Sequence, residues 1–137
     1  MADTMLFELV SPERVLVSEQ VTEVQIPARE GFIGVMPGHA PLLSELKAGG
    51  VLTYKSAGAQ KVIALFGGFV EVLPDRVRIL ADGAERKEEI DVTAAHAELE
   101  TALKEVDDSI MAGAADFVVA LDQAIRAQAR VDAVKKH

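Results

Sequence analysis

The stretch QKVIALFGGFVEVLPDRVRIL, residues 60–80, decides how the first part of this chain folds. Three short apolar runs, QKVIALF, FVEVL and RVRIL, are cut by Gly67-Gly68 and by Pro74-Asp75. Val62, Ala64 and Phe66 fall on one face of the first run, Val77 and Ile79 on one face of the last. Alternation with period two in runs this short, bounded by Gly and Pro, is the pattern of half-buried β-strands and not of helices. Gly67-Gly68 fits a tight turn or bulge between strands better than a phosphate cradle.

The same pattern extends upstream. LFELV (6–10) and RVLV (14–17) flank Ser11-Pro12-Glu13, VTEVQIP (21–27) alternates, and GVLTYKS (50–56) is joined to QKVIALF by Ala57-Gly58-Ala59 as a plausible hairpin. Strands so short, with turn residues between them, predict an antiparallel sandwich or barrel over residues 1–84.

After Asp82-Gly83 the period changes. From Ile90 onward there is no proline and one glycine, Gly113. Val92, Ala95, Leu99, Ala102, Leu103, Val106 and Ile110 recur at three- and four-residue steps, which predicts a helix with Asp91 as its N-cap and Gly113 at its C-terminal stop. A second helix is expected from about Ala115 to Lys135, with Phe117, Leu121, Ala124, Ile125, Gln128 and Val131 on one side. A short link makes the two an antiparallel hairpin over residues 85–137. The fold class is therefore α+β by segments, a β-sandwich followed by a two-helix hairpin.

The first helix is acidic: Asp91, Glu98, Glu100, Glu105, Asp107 and Asp108 face Lys104 alone, a net of −5. On the second, Asp116, Asp122 and Asp132 are outnumbered by Arg126, Arg130, Lys135 and Lys136, a net of +1. Exposed pairs between them are worth about 0–1 kcal/mol each. A thin apolar seam with weak, screened pairs describes an element able to leave its docking site.

The chain of 137 residues is the size of one domain or of one domain with an appendage, and half of it is hydrophobic. A formal charge of −8, with no basic run longer than Lys135-Lys136, argues against nucleic-acid binding. No cysteine is present, so no disulfide or thiolate chemistry is available. The N-terminus MADTMLFELV has neither a basic n-region nor a long apolar run, and no membrane span is expected. The common phosphate, dinucleotide, acyl-transfer and zinc signatures are missing, and His39, His96 and His137 have no second ligand at helical spacing. His39 with Glu30 or Glu45 could form an acid–base pair, but no nucleophile accompanies it; a backbone brace between Pro37 and Pro41 is the simpler role. An enzyme acting through this chain alone is not expected, and no metal site is.

The most distinctive motif is EGFIGVMPGHAPLL, Glu30 to Leu43, followed by GGFVEV at Gly67 to Val72 and VRILADGAER beyond it. Together with the order of a strand half and a helical half, these resemble the epsilon subunit of bacterial F-type ATP synthases (delta in mitochondria) over essentially the whole length. The resemblance implies a non-catalytic central-stalk subunit of a proton-translocating ATP synthase, peripheral on the cytoplasmic face of the bacterial inner membrane. Its implied partners are the gamma subunit and the c-ring, with Glu30, Gly31, Phe32, Gly34, Pro37, His39 and Pro41 in the contact loop. An extended hairpin is implied to reach the beta subunit of the catalytic head and inhibit ATP hydrolysis through Arg126, Arg130, Lys135 and Lys136. The alternative for those four is the solvated face of a hairpin. For the chain, the alternatives are an adaptor of similar build in another complex and a small-molecule enzyme or carrier.

Several relatives hold ATP through [I/L]-D-x-x-R-A on the first helix and R-A-x-x-R on the second. Here Ile90, Asp91, Arg126 and Arg130 match, but Ala94 stands where the motif has arginine. Loss of that guanidinium removes a strong charge-assisted contact to phosphate, so no cofactor is expected and ATP binding should be weak or absent.

Overall fold

The computed structural model describes residues 3–137. Ten strands come first: β1 (Met5–Val10), β2 (Val15–Val21), β3 (Glu23–Ala28), β4 (Gly31–Val35), β5 (Leu42–Glu45), β6 (Gly50–Ser56), β7 (Ala59–Leu65), β8 (Gly68–Leu73), β9 (Arg76–Ala81) and β10 (Ala84–Arg86). A 3-10 turn (Lys87–Glu89) leads to helices α1 (Val92–Ser109) and α2 (Ala114–Lys135). The strands form two five-stranded sheets, ordered β2-β1-β9-β8-β5 and β10-β7-β6-β3-β4. Pairing is antiparallel throughout except that β1 lies parallel to β9, two strands distant in sequence and so not constrained by a hairpin.

The two inner faces supply the core that alternation predicts. Phe7, Leu9, Val70, Val72, Val77 and Ile79 from the first sheet meet Val24, Ile26, Leu52, Ile63 and Leu65 from the second, all essentially inaccessible. Burying each such side chain contributes roughly 1.5–3 kcal/mol. Phe7 meets the Tyr54 ring edge-on with centroids 5.0 Å apart.

Strand β7 is buried on both faces. Ile63 and Leu65 point into the sandwich, while Val62 and Ala64, with Phe66 just beyond, form the shared face expected from the sequence and meet the helices. At Phe66-Gly67 the chain leaves the second sheet and enters the first at Gly68. A Cβ on Gly68 would stand 2.1 Å from the Leu80 carbonyl oxygen, and its φ is +120°, so only glycine lets β8 pass this close to β9.

Three sequence expectations are corrected here. Val21 ends β2 instead of opening the next strand: the chain bends at Thr22, whose N–H donates to the Lys55 carbonyl, and crosses between sheets there. The GFIGVMPGHAPLL segment is not one loop, because Gly31–Val35 and Leu42–Glu45 pair as edge strands and leave a short connection between. In the link after Ser56 the turn is Ala57-Gly58, with Ala59 already paired to Ser56.

The helices also differ in detail. Asp91 caps α1 as expected, its carboxylate accepting from the Ala94 N–H at 2.8 Å. α1 stops at Ser109, and Gly113 sits at the N-cap of α2 instead of ending α1. The buried face of α1 is Ala95, Ala102 and Ser109, with Leu99 and Val106 partly covered; Val92, Leu103 and Ile110 are exposed. That of α2 is Ala120, Ala124, Ala127, Ala129, Val131 and Ala133, whereas Leu121 and Gln128 lie outside it. Alanine allows close helix approach, so the seam follows the small residues and not the large ones.

Candidate partner-binding surfaces

β4 is the outer strand of one sheet and β5 the outer strand of the other, and both lie on the same side of the sandwich. Residues Glu30 to Leu43 therefore build one long edge: the Arg29-Glu30 turn, β4, the Met36–Pro41 connection and β5. Near one end the two edge regions are tied by a bridge between Ala28 and Leu46, with Arg29 paired to Glu45 at 2.8 Å. At the other, the Gly38 N–H donates to the Pro74 carbonyl at 2.8 Å, fixing the connection to the β8–β9 turn.

The expected contact residues are thus gathered along this edge. Glu30 lies in the turn, Gly31 opens β4 opposite Ala28, and Gly34 pairs with Gln25. Phe32 is 63% exposed with the Lys47 ammonium 5.8 Å from its ring centroid. Pro37 and Pro41 bracket the connection, where neither can donate a backbone hydrogen bond to an added strand. The Nδ1 of His39 lies 2.6 Å from the Ala40 carbonyl oxygen, a donor contact that braces the loop. Met36 (61%) and Leu43 (73%) add exposed apolar surface to the same edge.

A second surface was not singled out from the sequence. On the outer face of the first sheet, register places Phe69 beside Leu80, Leu80 beside Val10 and Val10 beside Val15. Phe69, Leu80 and Val15 are each more than half exposed, and the neighbouring row is Glu71, Arg78 and Glu8, with Arg78 3.4 Å from Glu8. The signal was in the alternation: if Val70 and Val72 point inward, Phe69 must point out. An aromatic ring in the solvent phase of a strand is informative in a way that a scattered exposed Leu is not.

The outer face of the other sheet is taken by the hairpin. α2 lays Ala129, Val131 and Ala133 over Val62, Ala64 and Phe66, while α1 reaches this cluster through Ala95 and Leu99. The Arg126 and Arg130 guanidiniums approach the Phe66 ring, with Arg126 also paired to Asp122 at 3.2 Å and its side chain 41% exposed; Lys135 and Lys136 are exposed. Two further bonds hold the end of α2: Lys87 Nζ donates to the Lys136 carbonyl and Gln60 Nε2 to that of His137.

The residues expected at a degenerate ATP site are divided between two cavities. Ile90, Asp91, Ala94 and Arg130 line one cavity between the sandwich and α1, but the other charged groups lining it are Glu85, Glu89 and Glu98. Arg130 is already paired with Glu85 at 2.9 Å, and Arg126 lines a different cavity between the helices. Burial alone would push the Glu89 carboxyl up, yet hydrogen bonds from the Arg14 guanidinium and the Arg86 backbone, with the charges of both arginines, hold it below its ordinary value. Held ionised in this way, the Glu89 carboxylate disfavours phosphate in the cavity.

Residues 4–87 match the family described as ATP synthase, Delta/Epsilon chain, beta-sandwich domain. The ATP synthase epsilon chain of Solibacter usitatus is 49% identical over 136 residues, 99% of both chains. That of Rhizobium meliloti is 46% identical, covering 78% of this chain and 80% of the other. Among solved structures, a chain of the Euglena gracilis mitochondrial ATP synthase OSCP/F1/c-ring assembly superposes with a TM-score of 0.84 at 22% identity, covering 99% of this chain and 84% of that one. A fold shared at that identity, a family match over the whole sandwich and a full-length relative near half identity agree: the chain belongs to the ATP synthase delta/epsilon chain family.

Proposed function

We propose that this chain works as the central-stalk subunit that joins gamma to the c-ring, with the Glu30–Leu43 edge on the ring and the Phe69–Leu80–Val15 stripe on gamma. The chain is a non-catalytic accessory subunit of the ATP synthase. One observation carries the assignment of surfaces: with the hairpin covering the second sheet, the bare apolar area left on the sandwich is the outer face of the first sheet and the edge that borders it. Torque transmission needs a stiff body and a large contact area and no titrating group. Interlocked sheets with buried cores on both sides of β7 provide the first; two adjoining surfaces at different angles provide the second.

Co-purification of the full-length chain with the assembled enzyme tests this. The pair Phe69→Glu and Leu80→Glu should remove gamma from the isolated complex, and Phe32→Glu with Leu43→Glu should weaken retention of the c-ring. These side chains are already exposed, so the sandwich should melt at the wild-type temperature. Retention of both partners by both variants would overturn the assignment.

The inhibitory contact with the beta subunit requires Arg126 and Arg130 to leave Phe66, so inhibition belongs to a released hairpin. ATP is not a strong ligand of this chain in our reading, because Arg130 is the one cation lining a cavity with four carboxylates. Calorimetric titration of the isolated chain with Mg-ATP should give no measurable heat at micromolar concentrations; a micromolar site would refute it.

A further inference from the structure

A groove of about 500 Å³ lies on the outer face of the second sheet, between α2 and β4. It shares no lining residue with the cavities around Arg126 and Arg130. Pro27 and Val51 give it an apolar floor, and the Phe32 ring borders it. The floor is bare backbone at Gly50, where a Cβ would stand 2.7 Å from the Pro27 Cβ. Concave, mostly apolar surface of this size with a few convergent polar groups is the usual form of a small-molecule site.

The polar groups here are free to take a ligand. Every arginine of this acidic chain is paired with a carboxylate, yet Lys47 and Lys136, which both line the groove, form no ion pair among the described residues. The Lys47 side chain starts from a fixed point: its N–H donates to the Pro27 carbonyl at 3.0 Å and its carbonyl accepts from the Gly67 N–H at 2.9 Å. Its ammonium lies 5.8 Å from the Phe32 ring centroid, so cation and aromatic surface are side by side. Thr53, only 8% exposed, also lines the groove, and its hydroxyl has no hydrogen-bond partner among the described residues. A nearly buried hydroxyl without a partner is costly unless something else satisfies it. The remaining charged residue, Asp132, accepts from Gln128 Nε2 at 2.9 Å along its own helix.

We propose that this groove binds a small organic monocarboxylate with a flat apolar body. The carboxylate lies between the Lys47 and Lys136 ammoniums and accepts from the Thr53 hydroxyl, while the body rests on Pro27 and Val51 beside the Phe32 ring. No bond is made or broken. The site belongs to the chain by itself and does not rest on the central-stalk reading; Phe32 also belongs to the edge proposed for the c-ring, so the test uses the free chain.

The isotope-labelled full-length chain is titrated with phenylpropionate and, as a control of the same body and opposite charge, with phenylpropylamine. The carboxylate should give saturable amide shifts at Gly49, Gly50 and Val51, with half-saturation on the order of 1 mM for a ligand this small. The amine should bind about tenfold more weakly or not at all. Lys47→Glu combined with Lys136→Glu should cost the carboxylate about tenfold and make the amine the better ligand. Thr53→Val, which keeps the shape without the hydroxyl, should weaken the carboxylate severalfold. Native shifts in β1 and β9 check that each variant is folded. Shifts that do not saturate, equal response to amine and carboxylate, or wild-type affinity in either variant would overturn the site.

Discussion

Tyr54 is the single tyrosine of the chain, and its environment makes it a clean reporter of the sandwich. Burial, helped by the negative charge of Glu19, pushes its phenol from the ordinary 10.0 up to about 12. The neutral form is favoured in the fold, so its stabilising contribution is complete below pH 10 and is lost as pH rises through about 12. Ultraviolet titration should show little phenolate at pH 10 in the native protein, where a free tyrosine is half ionised, and a midpoint back near 10 in urea. A native midpoint near 10 would mean that Tyr54 is open to solvent. Phe69 is the residue where legibility was lost: its alternation was plain, but alternation was read for what it buries. His39 is the opposite case, since flanking prolines and the absence of a partner already pointed to a brace.

For the elements, strand existence was legible nearly everywhere from alternation and turn residues, because Gly and Pro act locally. What sequence could not carry was the partner of each strand. β4 and β5 lay hidden in a Gly- and Pro-rich segment that looked like loop, and β2 runs on through Val21 because the bend at Thr22 has no Gly or Pro to mark it. The helical seam was legible only in part. Ala95, Ala102, Ala124 and Val131 are buried as the periodicity placed them, yet Leu103, Ile110 and Leu121, on the same expected faces, stay exposed. Closeness explains it: a Cβ on Gly49, just before β6, would stand 2.7 Å from Ile125 Cγ2 and 2.8 Å from the Ile125 carbonyl oxygen. α2 thus rests on the backbone here. Gly49→Val should push α2 outward at a cost of about 1–3 kcal/mol, the usual range for overpacking. Limited trypsin digestion checks it: cleavage after Arg126 and Arg130 should become fast while the strand half persists. Wild-type cleavage kinetics would show that α2 does not depend on this approach.

For the whole molecule, the two sides of the sandwich do different work. One sheet face is closed by the chain's own hairpin, and the other, with the β4–β5 edge, is exposed and is the face we propose for partners. Removing residues 91–137 separates these functions. The sandwich core closes without the helices, because Phe7, Leu52, Leu65 and Ile79 are covered by the two sheets. Val62, Ala64 and Phe66 lose their cover, so the truncated chain alone should bind a hydrophobic dye and self-associate in sedimentation. Its partner surfaces are untouched, so it should still assemble with gamma and the c-ring and support coupled ATP synthesis. ATP hydrolysis by that complex should rise only modestly, because the intact chain already holds Arg126 and Arg130 against Phe66 instead of presenting them. A large rise would mean that the hairpin spends most of its time released in the complex. No change would remove inhibition from this hairpin while leaving the stalk role intact. Loss of assembly would place a partner contact on the helices and overturn the division of faces.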